Sequence, residues 1–353
     1  MDWLGKFLNL PSQFLHSSEG PGGGVIQGSA GESATVVILA AIIKAIKKSP
    51  LLRRHEMCVV CSDQTHAIVQ KATMILGCQF RSVKTTIAEE YALNVGDLER
   101  ELDHASEDGL TTVAVVATTG TTSSCAFDPI DEIGRLCKLR EIGWLHIDAA
   151  YGGAYACLEE YREKFKGLEL ADSFCVNCHK KLLCPFDLAA LYVADRNPLL
   201  DALSLQPEYL RNSASDSGAV VDFEHWQMPL GRRFRSLKLW FVMRRFGTQG
   251  LKFHVQNGVK LAEHFAELVR RDDDLELVVE PSLSLVCFRW ANRGEEDQQS
   301  LLDAIKATGD CFLIHTKLEG RIAIRLAAGG IEQQESDIEG AYRVIKKCIA
   351  SLS

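Results

Sequence analysis

The sequence contains no apolar run that could span a bilayer, no long run of basic residues and no internal repeat. Its longest purely apolar run, residues 36–43, is far shorter than the roughly 20 residues of a membrane-spanning helix. The formal net charge of −8 argues against a nucleic-acid-binding surface. No basic segment followed by an apolar one opens the chain, so no signal peptide is predicted. We therefore predict a cytoplasmic protein that binds neither membranes nor nucleic acids.

Cysteine, in contrast, is abundant, with twelve residues that include two C-x-x-C pairs, Cys58/Cys61 and Cys175/Cys178. Four thiolates could bind zinc. However, each pair lies within or at the end of a predicted strand, where side chains three positions apart point to opposite faces. A zinc knuckle needs a tight turn between its ligands, so we predict no metal site and buried free thiols in a reducing compartment.

Strand and helix patterns alternate along the first two thirds of the 353-residue chain, which favours an α/β fold. Strands are predicted there at residues 57–62, 78–84, 111–118, 144–148 and 173–177. The last third instead has four alternating segments typical of antiparallel strands, at 275–280, 283–290, 311–317 and 322–326. We predict a large domain of residues 1–236 and a small α+β domain of residues 237–353.

Two further local predictions concern segments that are rich in small residues. The glycines within residues 20–24 predict a loop with unusual φ angles, because glycine alone adopts such angles without strain. A small-residue turn at residues 149–154 follows the strand 144–148, and a helix is predicted after it.

Two charged residues follow neighbouring predicted strands and could act on one ligand. Lys180 comes after the strand 173–177, where a desolvated amine could hold an aldehyde as a Schiff base. Asp148 ends the strand 144–148, where its carboxylate could face the ring nitrogen of a pyridine. Taken alone, such an aspartate is usually a turn former or helix cap, and most lysines are solvated. Together they are two of the groups that pyridoxal 5′-phosphate (PLP) requires.

The strings HIDAAYGG (146–153) and ADSFCVNCHK (171–180) resemble the cofactor segment of the group II PLP-dependent amino-acid decarboxylases. The resemblance is closest to the branch of aromatic-L-amino-acid (DOPA) and histidine decarboxylases, and it runs from Met1 almost to Ser353. It implies a PLP-dependent transferase fold of type I, in which a large domain with a mostly parallel seven-stranded sheet carries a smaller α+β domain. It also implies PLP as the cofactor, with Lys180 attached to it and Asp148 keeping its ring nitrogen protonated.

Other cofactor contacts follow from the same resemblance. The string GSAGES (28–33) precedes a helix, whose N-terminal N–H groups could bind a phosphate. On its own this string is more simply a helix cap, but the resemblance makes it the cradle of the 5′-phosphate, although the family usually has a second serine where Gly31 stands. In CSDQTH (61–66), His66 would stack on the ring. The full set of implied cofactor-binding residues is Ser29, Ala30, Gly31, His66, Thr122, Asp148, Ala150, Asn177, His179, Lys180 and Gly231.

The reaction implied is decarboxylation of an L-amino acid of the aromatic type to its amine and CO₂. Residues 201–227 are polar and weakly periodic, which predicts a long loop. By resemblance this loop is mobile and closes on the neighbouring subunit of a homodimer, and it carries the catalytic Tyr209. The catalytic residues implied are thus Lys180, Tyr209, His66 and Asp148.

Two alternatives remain open at this point. Some relatives are aldehyde synthases, which deaminate as they decarboxylate, and a phenylalanine in place of the loop tyrosine or a change of the stacking histidine is associated with them. The family also has an N-terminal helical segment before the helix that corresponds to residues 1–10, so this chain is either a fragment or a protein without part of the substrate site. In the second case it could be a non-catalytic homologue. Gly231 matches the aromatic branch, but one position does not choose among DOPA, 5-hydroxytryptophan, tyrosine, tryptophan and histidine.

Overall fold

A computed structural model describes residues 1–205 and 220–352 of the chain. Within these ranges the helices are α1 (Asp2–Phe7), α2 (Ala30–Lys48), α3 (Ile68–Leu76), α4 (Val95–Glu107), α5 (Ile130–Leu139), α6 (Cys178–Lys181), α7 (Asn197–Leu203), α8 (Arg235–Arg270), α9 (Glu295–Thr308) and α10 (Glu335–Leu352). The strands are β1 (Gly23–Gln27), β2 (Met57–Ser62), β3 (Gln79–Val83), β4 (Thr111–Thr118), β5 (Leu145–Asp148), β6 (Ser173–Asn177), β7 (Ala189–Val193), β8 (Leu275–Leu277), β9 (Leu285–Trp290), β10 (Ile314–Leu318) and β11 (Arg321–Ala327).

The first seven strands form one sheet in the order β1-β7-β6-β5-β4-β2-β3. Strands β2 to β6 pair in parallel, whereas β7 runs antiparallel to both β6 and β1. The central strands β5 and β6 are buried along their whole length, as expected for a sheet that is covered on both faces. The predicted α/β fold with a mostly parallel seven-stranded sheet is therefore confirmed.

The last four strands form a separate antiparallel sheet in the order β10-β11-β9-β8. Its buried side chains pack with apolar residues of α8, α9 and α10 in a core of their own. Residue 236, the predicted domain boundary, lies in the first turn of α8. The division at this residue stays a prediction, because Leu283, Leu285 and Leu318 also belong to the core cluster of the large sheet.

The prediction of a loop at residues 20–24 is wrong for Gly23 and Gly24, which begin β1, although Gly23 does have an unusual φ of +157°. The glycines are needed here for close packing. A Cβ added at Gly23 would lie 2.5 Å from the ring of His16, and one added at Gly24 would lie 2.7 Å from the ring of Tyr192. Only residues without side chains let β1 approach its neighbours this closely.

The helix predicted after residue 154 is also wrong in its type. The segment forms three short 3₁₀ helices, Gly152–Cys157, Glu159–Phe165 and Leu168–Leu170, instead of a continuous α-helix. Two adjacent glycines near its start give this segment a low helix propensity.

Among its described helices the protein has none that is both long enough and apolar enough to cross a membrane.

Beside the sheet centre, a buried histidine makes stability depend on pH. His146 in β5 is 1% exposed, and its Nδ1 lies 2.7 Å from Ser173 Oγ, which accepts the indole N–H of Trp144. The Ser173 hydroxyl is thus free to donate to a neutral imidazole. Burial lowers the pKa of His146 to about 4. Below the usual histidine pKa, only the unfolded chain takes up this proton, so acid favours unfolding.

We expect the free energy of unfolding of the protein to fall by about 2–3 kcal/mol more than that of a His146→Asn variant between pH 7 and pH 4.5. Asparagine keeps an acceptor for Ser173 but has no proton to bind in this range. Chemical denaturation at the two pH values measures the difference. Equal losses in the two proteins would show that the imidazole is not the group responsible.

Candidate active site

A cavity of about 190 Å³ lies at the carboxyl ends of β4, β5 and β6, beside the N-terminus of α2. Open α/β sheets bind ligands at this edge. Nine residues that the sequence singled out line the cavity, namely Ser29, Ala30, Gly31, His66, Thr122, Asp148, Ala150, Asn177 and Lys180. Ile68, Thr118, Gly120 and Tyr151 also line it and were missed. Each lies within two residues of a predicted contact or at a strand end, and that adjacency is the signal that could have found them.

Asp148 is held rigidly at the end of β5. Asp148 pairs with Thr118 of β4 and with Cys175 of β6 in the sheet, and it is 4% exposed. One carboxylate oxygen, Oδ1, accepts the N–H of Ala150 at 3.0 Å. The other oxygen has no donor among the residues that the structure describes, so it is available to a ligand in the cavity.

Lys180 and Lys181 lie side by side in α6, directly after β6, but their amines have different surroundings. Lys180 is exposed and lines the cavity. Lys181 is 5% exposed, and its Nζ donates to the carbonyl oxygen of Ala328, near the end of β11. Of these two lysines, only Lys180 borders the cavity that also contains Asp148.

The N-terminus of α2 faces the same cavity. Ser29 caps this 19-residue helix by accepting the N–H of Glu32 at 3.2 Å, and Glu32 in turn accepts the N–H of Gly28 at 2.7 Å. Two backbone N–H groups of the first turn, those of Ala30 and Gly31, remain for an anion. A Cβ added at Gly31 would meet only ordinary contacts, so the glycine is not required by packing.

An unsatisfied hydrogen-bonding group in the cavity indicates that these residues fit PLP. Asn177 Oδ1 is buried with no hydrogen-bond partner among the described residues, and Asn177 lines the cavity. Buried polar atoms are rarely left without a partner in a folded protein. A lysine amine, a buried carboxylate, a helix N-terminus and an unsatisfied amide in one cavity suit a phosphorylated pyridine aldehyde.

Two predicted cofactor contacts, His179 and Gly231, are not part of the cavity lining. His179 Nδ1 accepts the N–H of Leu188 at 2.9 Å, and its ring packs on Phe186 with the ring centroids 4.9 Å apart. Gly231 is exposed, with no atom within 4 Å of the place where a Cβ would stand. His66 is exposed at the cavity, and its Nδ1 accepts the N–H of Ile68 at 3.2 Å. Tyr209 lies outside the described residues.

The two C-x-x-C pairs do not have the arrangement of a zinc knuckle. Cys58 and Cys178 belong to one core cluster and Cys61 and Cys175 to the other, so each pair points to opposite faces of the sheet. Burial also raises the pKa of Cys61 and of Cys175 to about 12, which disfavours the thiolate that a metal needs. Outside the cysteines, the ligand atoms of Asp222, Glu224 and His225 lie within 4.8 Å of one another. We assign no metal to this group, because such polar groups commonly lie together without an ion.

Comparison with known proteins gives the same assignment. Residues 1–291 match the pyridoxal-dependent decarboxylase conserved domain. The chain is 43% identical to tyrosine decarboxylase 2 of Narcissus pseudonarcissus, over 98% of this chain and 70% of that protein. It is 41% identical to phenylacetaldehyde synthase of Arabidopsis thaliana, over 98% of this chain and 72% of that protein.

Solved structures extend the likeness to the fold. The crystal structure of Oryza sativa TDC with PLP and tryptamine superimposes with a TM-score of 0.95, at 37% identity, covering 99% of this chain and 74% of that one. This match covers both sheets and the cavity at the ends of β4 to β6. The chain therefore belongs to the pyridoxal-dependent decarboxylases, a family of carboxy-lyases whose cofactor is PLP.

Proposed function

We propose that this protein decarboxylates an aromatic L-amino acid to the corresponding amine and CO₂. The observation that carries the proposal is the single cavity in which Lys180, Asp148, His66 and the N-terminus of α2 meet. The names of relatives such as tyrosine decarboxylase 2 and Oryza sativa TDC with tryptamine support an aromatic substrate. Gly231 also matches the aromatic branch, although it stands outside the cavity.

When bound, PLP supplies an electron-withdrawing ring that accepts the charge left behind by the departing CO₂. Lys180 would hold the cofactor covalently and exchange places with the amino group of the substrate. Asp148, buried and fixed by the N–H of Ala150, would hold a proton on the ring nitrogen. The N–H groups at the start of α2 would bind the phosphate, and the amide of Asn177 would hydrogen-bond beside it.

A panel assay tests this function. The purified protein is incubated with PLP and with DOPA, 5-hydroxytryptophan, tyrosine, tryptophan or histidine, and amine, CO₂ and hydrogen peroxide are measured together. Amine and CO₂ in equal amounts from an aromatic substrate are expected. Peroxide in proportion to CO₂ would instead establish an aldehyde synthase, the activity in the name of one relative. Cofactor absorption without any product would establish a non-catalytic homologue.

Tyr209 separates the two reactions, and it falls in the loop predicted at residues 201–227. Its phenol is proposed to protonate the former α-carbon after CO₂ has left. A Tyr209→Phe variant keeps the ring but loses this proton. We expect amine formation to fall sharply and substrate affinity to change little, while dissolved dioxygen acts as the oxidant and aldehyde, ammonia and peroxide appear in place of the amine. If Tyr209 only packs, the variant will make amine at an almost normal rate.

We also propose that the protein is a homodimer. A groove of about 910 Å³ runs between α1 and the start of α8, and its lining includes the exposed apolar side chains of Trp3, Phe234, Leu237 and Trp240. Apolar patches of this kind mark protein interfaces. The proposed loop closure onto a neighbouring site requires a partner as well.

A cytoplasmic location is proposed because all twelve cysteines are free and eleven of them are buried.

A Trp240→Glu substitution should weaken the dimer by about thirtyfold or more, because it places a charge where the proposed interface would bury a tryptophan. Light scattering at several protein concentrations measures the shift towards monomer. Phe312→Glu is the matched control, since Phe312 is 80% exposed in the small domain and does not line the groove. A wild-type protein that is monomeric and fully active would contradict the proposal.

A further inference from the structure

A second cavity, of about 400 Å³, adjoins the cofactor cavity on the side of the small domain. Thr122, Tyr151 and Lys180 line both cavities. The large domain adds Thr121, Cys125 and Lys181 to the second cavity, and the small domain adds Leu285, Arg325 and residues 327–330. A ligand in this space would therefore lie next to Lys180 but outside the cofactor cavity.

The charge of the second cavity is entirely of one sign. Lys180, Lys181 and Arg325 line it, and none of its other lining residues is an aspartate or a glutamate. The chain as a whole carries a net charge of −8, so this concentration of cations does not follow from composition. Like charges in a partly buried space repel one another unless an anion compensates them.

Lys181 is built into the wall of this cavity. Besides its hydrogen bond to Ala328, its Nζ lies 5.8 Å from the ring centroid of Tyr151. Glycines leave room for the amine, since a Cβ at Gly329 would clash with Nζ and one at Gly258 would lie 3.3 Å from it. An ammonium has three donors, and the described residues supply one hydrogen-bond acceptor.

Arg325 in β11 is the second group with unused hydrogen-bonding capacity. Its Nε is buried and has no hydrogen-bond partner among the described residues. No ion pair joins its guanidinium to a carboxylate in the described part of the chain. Lys181 and Arg325 both line the cavity, and a carboxylate or an oxyanion of phosphate or sulfate is the chemical group that compensates their charge.

We propose that this cavity is an anion site, in which Lys181 and Arg325 bind a small carboxylate, phosphate or sulfate beside Lys180. The anion is either the carboxylate of the substrate or a free ion from solution. The proposed site is related to the proposed function because it lies next to Lys180. Anion binding does not require turnover, so it can be tested separately. It also gives Lys181 a role that differs from that of its neighbour in the sequence.

The site should weaken in alkali. Burial lowers the pKa of Lys181 to about 8, and the titratable or charged groups around it are Cys125, Tyr151, Lys180, His254 and Arg325, none of them a carboxylate. An anion binds the protonated amine and thereby raises its pKa. Affinity is therefore expected to be highest below pH about 8 and to fall as the pH rises above that value.

Calorimetric titration of the PLP-loaded protein with sodium sulfate, at pH 7 and constant ionic strength, tests the proposal. In the loaded protein the cofactor occupies the phosphate site of α2, so added sulfate reports on the second cavity. We expect saturable binding that is about tenfold or more weaker in Lys181→Met and in Arg325→Met, since each removes a hydrogen bond to a charged group. Lys317→Met is the control, because it removes an exposed lysine of the small domain that does not line the cavity.

Steady-state kinetics then identify the source of the anion. If the substrate carboxylate uses the site, sulfate raises the apparent KM of the wild type, and both variants have a higher KM and lose the sulfate effect. If a free ion uses it, sulfate binds without changing KM. No saturable sulfate binding, or the same binding in Lys181→Met, Arg325→Met and the control, would overturn the proposal. A protein that binds sulfate but forms no amine would refute the proposed function and leave this site standing.

Discussion

A Lys180→Ala variant should form no measurable amine, with a rate lower by about 10⁴-fold or more, as is usual when the covalent residue of an enzyme is removed. Lys180 is the only lysine that lines the described cavity with Asp148, and no second amine borders that space to replace it. Borohydride reduction followed by peptide mapping measures the attachment directly. It should link the cofactor to the peptide around Lys180 in the wild type and to no peptide in the variant.

The adjacent lysine provides a sharp control. In a Lys181→Met variant the cofactor should still be trapped on Lys180, because the Lys181 amine donates to Ala328 on the side of the small domain. Trapping that persists in Lys180→Ala would show that another residue holds the cofactor. Trapping lost in both variants would mean that the two lysines act together, against the assignment made here.

The second large effect concerns Asp148. An Asp148→Asn variant should still bind PLP, since asparagine can accept the N–H of Ala150 in the same way. Its rate of decarboxylation should fall by roughly 10²–10³-fold, the usual cost of losing one preorganised electrostatic group. Absorption spectra establish that the cofactor is bound, and initial rates of CO₂ release give the effect on catalysis.

Asp172→Asn is the matched control for this substitution. Asp172 accepts the N–H of Leu145 at 2.7 Å and stands just before β6, at the end of that strand remote from the cavity. Its loss should leave the rate close to that of the wild type. Near-normal turnover in Asp148→Asn, with the cofactor bound, would mean that another group keeps the ring nitrogen protonated.

The sequence predicted the strands that have strong apolar patterns and missed those that do not. Met57–Ser62, Thr111–Thr118 and Ser173–Asn177 were predicted with the bounds that the structure has. The strand β1 was mistaken for a loop because its glycines have no side chain to show a pattern, and their purpose is contact with His16 and Tyr192. The strand β7 (Ala189–Val193) was not recognised.

The positions of candidate site residues could be predicted from the sequence where the residues end adjacent parallel strands. Asp148 and Asn177 end adjacent strands and so had to lie together once the sheet was parallel. His179 and Gly231 were inferred from the resemblance alone, and side-chain direction within α6 and around residue 231 could not be derived from sequence. The second cavity was missed for another reason. Lys181 and Arg325 are 144 positions apart, and only the packing of the small domain brings them together.

The pairing of β1 with β7 has a consequence for how the protein is made. Gly23 pairs with Val193 and Gln27 with Ala189, and the Tyr192 hydroxyl donates to the carbonyl oxygen of Met1. The first strand therefore has no partner until β7 has left the ribosome, which takes roughly 10–30 s at about 5–20 residues per second. During that interval the apolar residues of α1 and β1 are exposed on the nascent chain. We therefore expect α1 and β1 to need protection from aggregation until β7 has been synthesised.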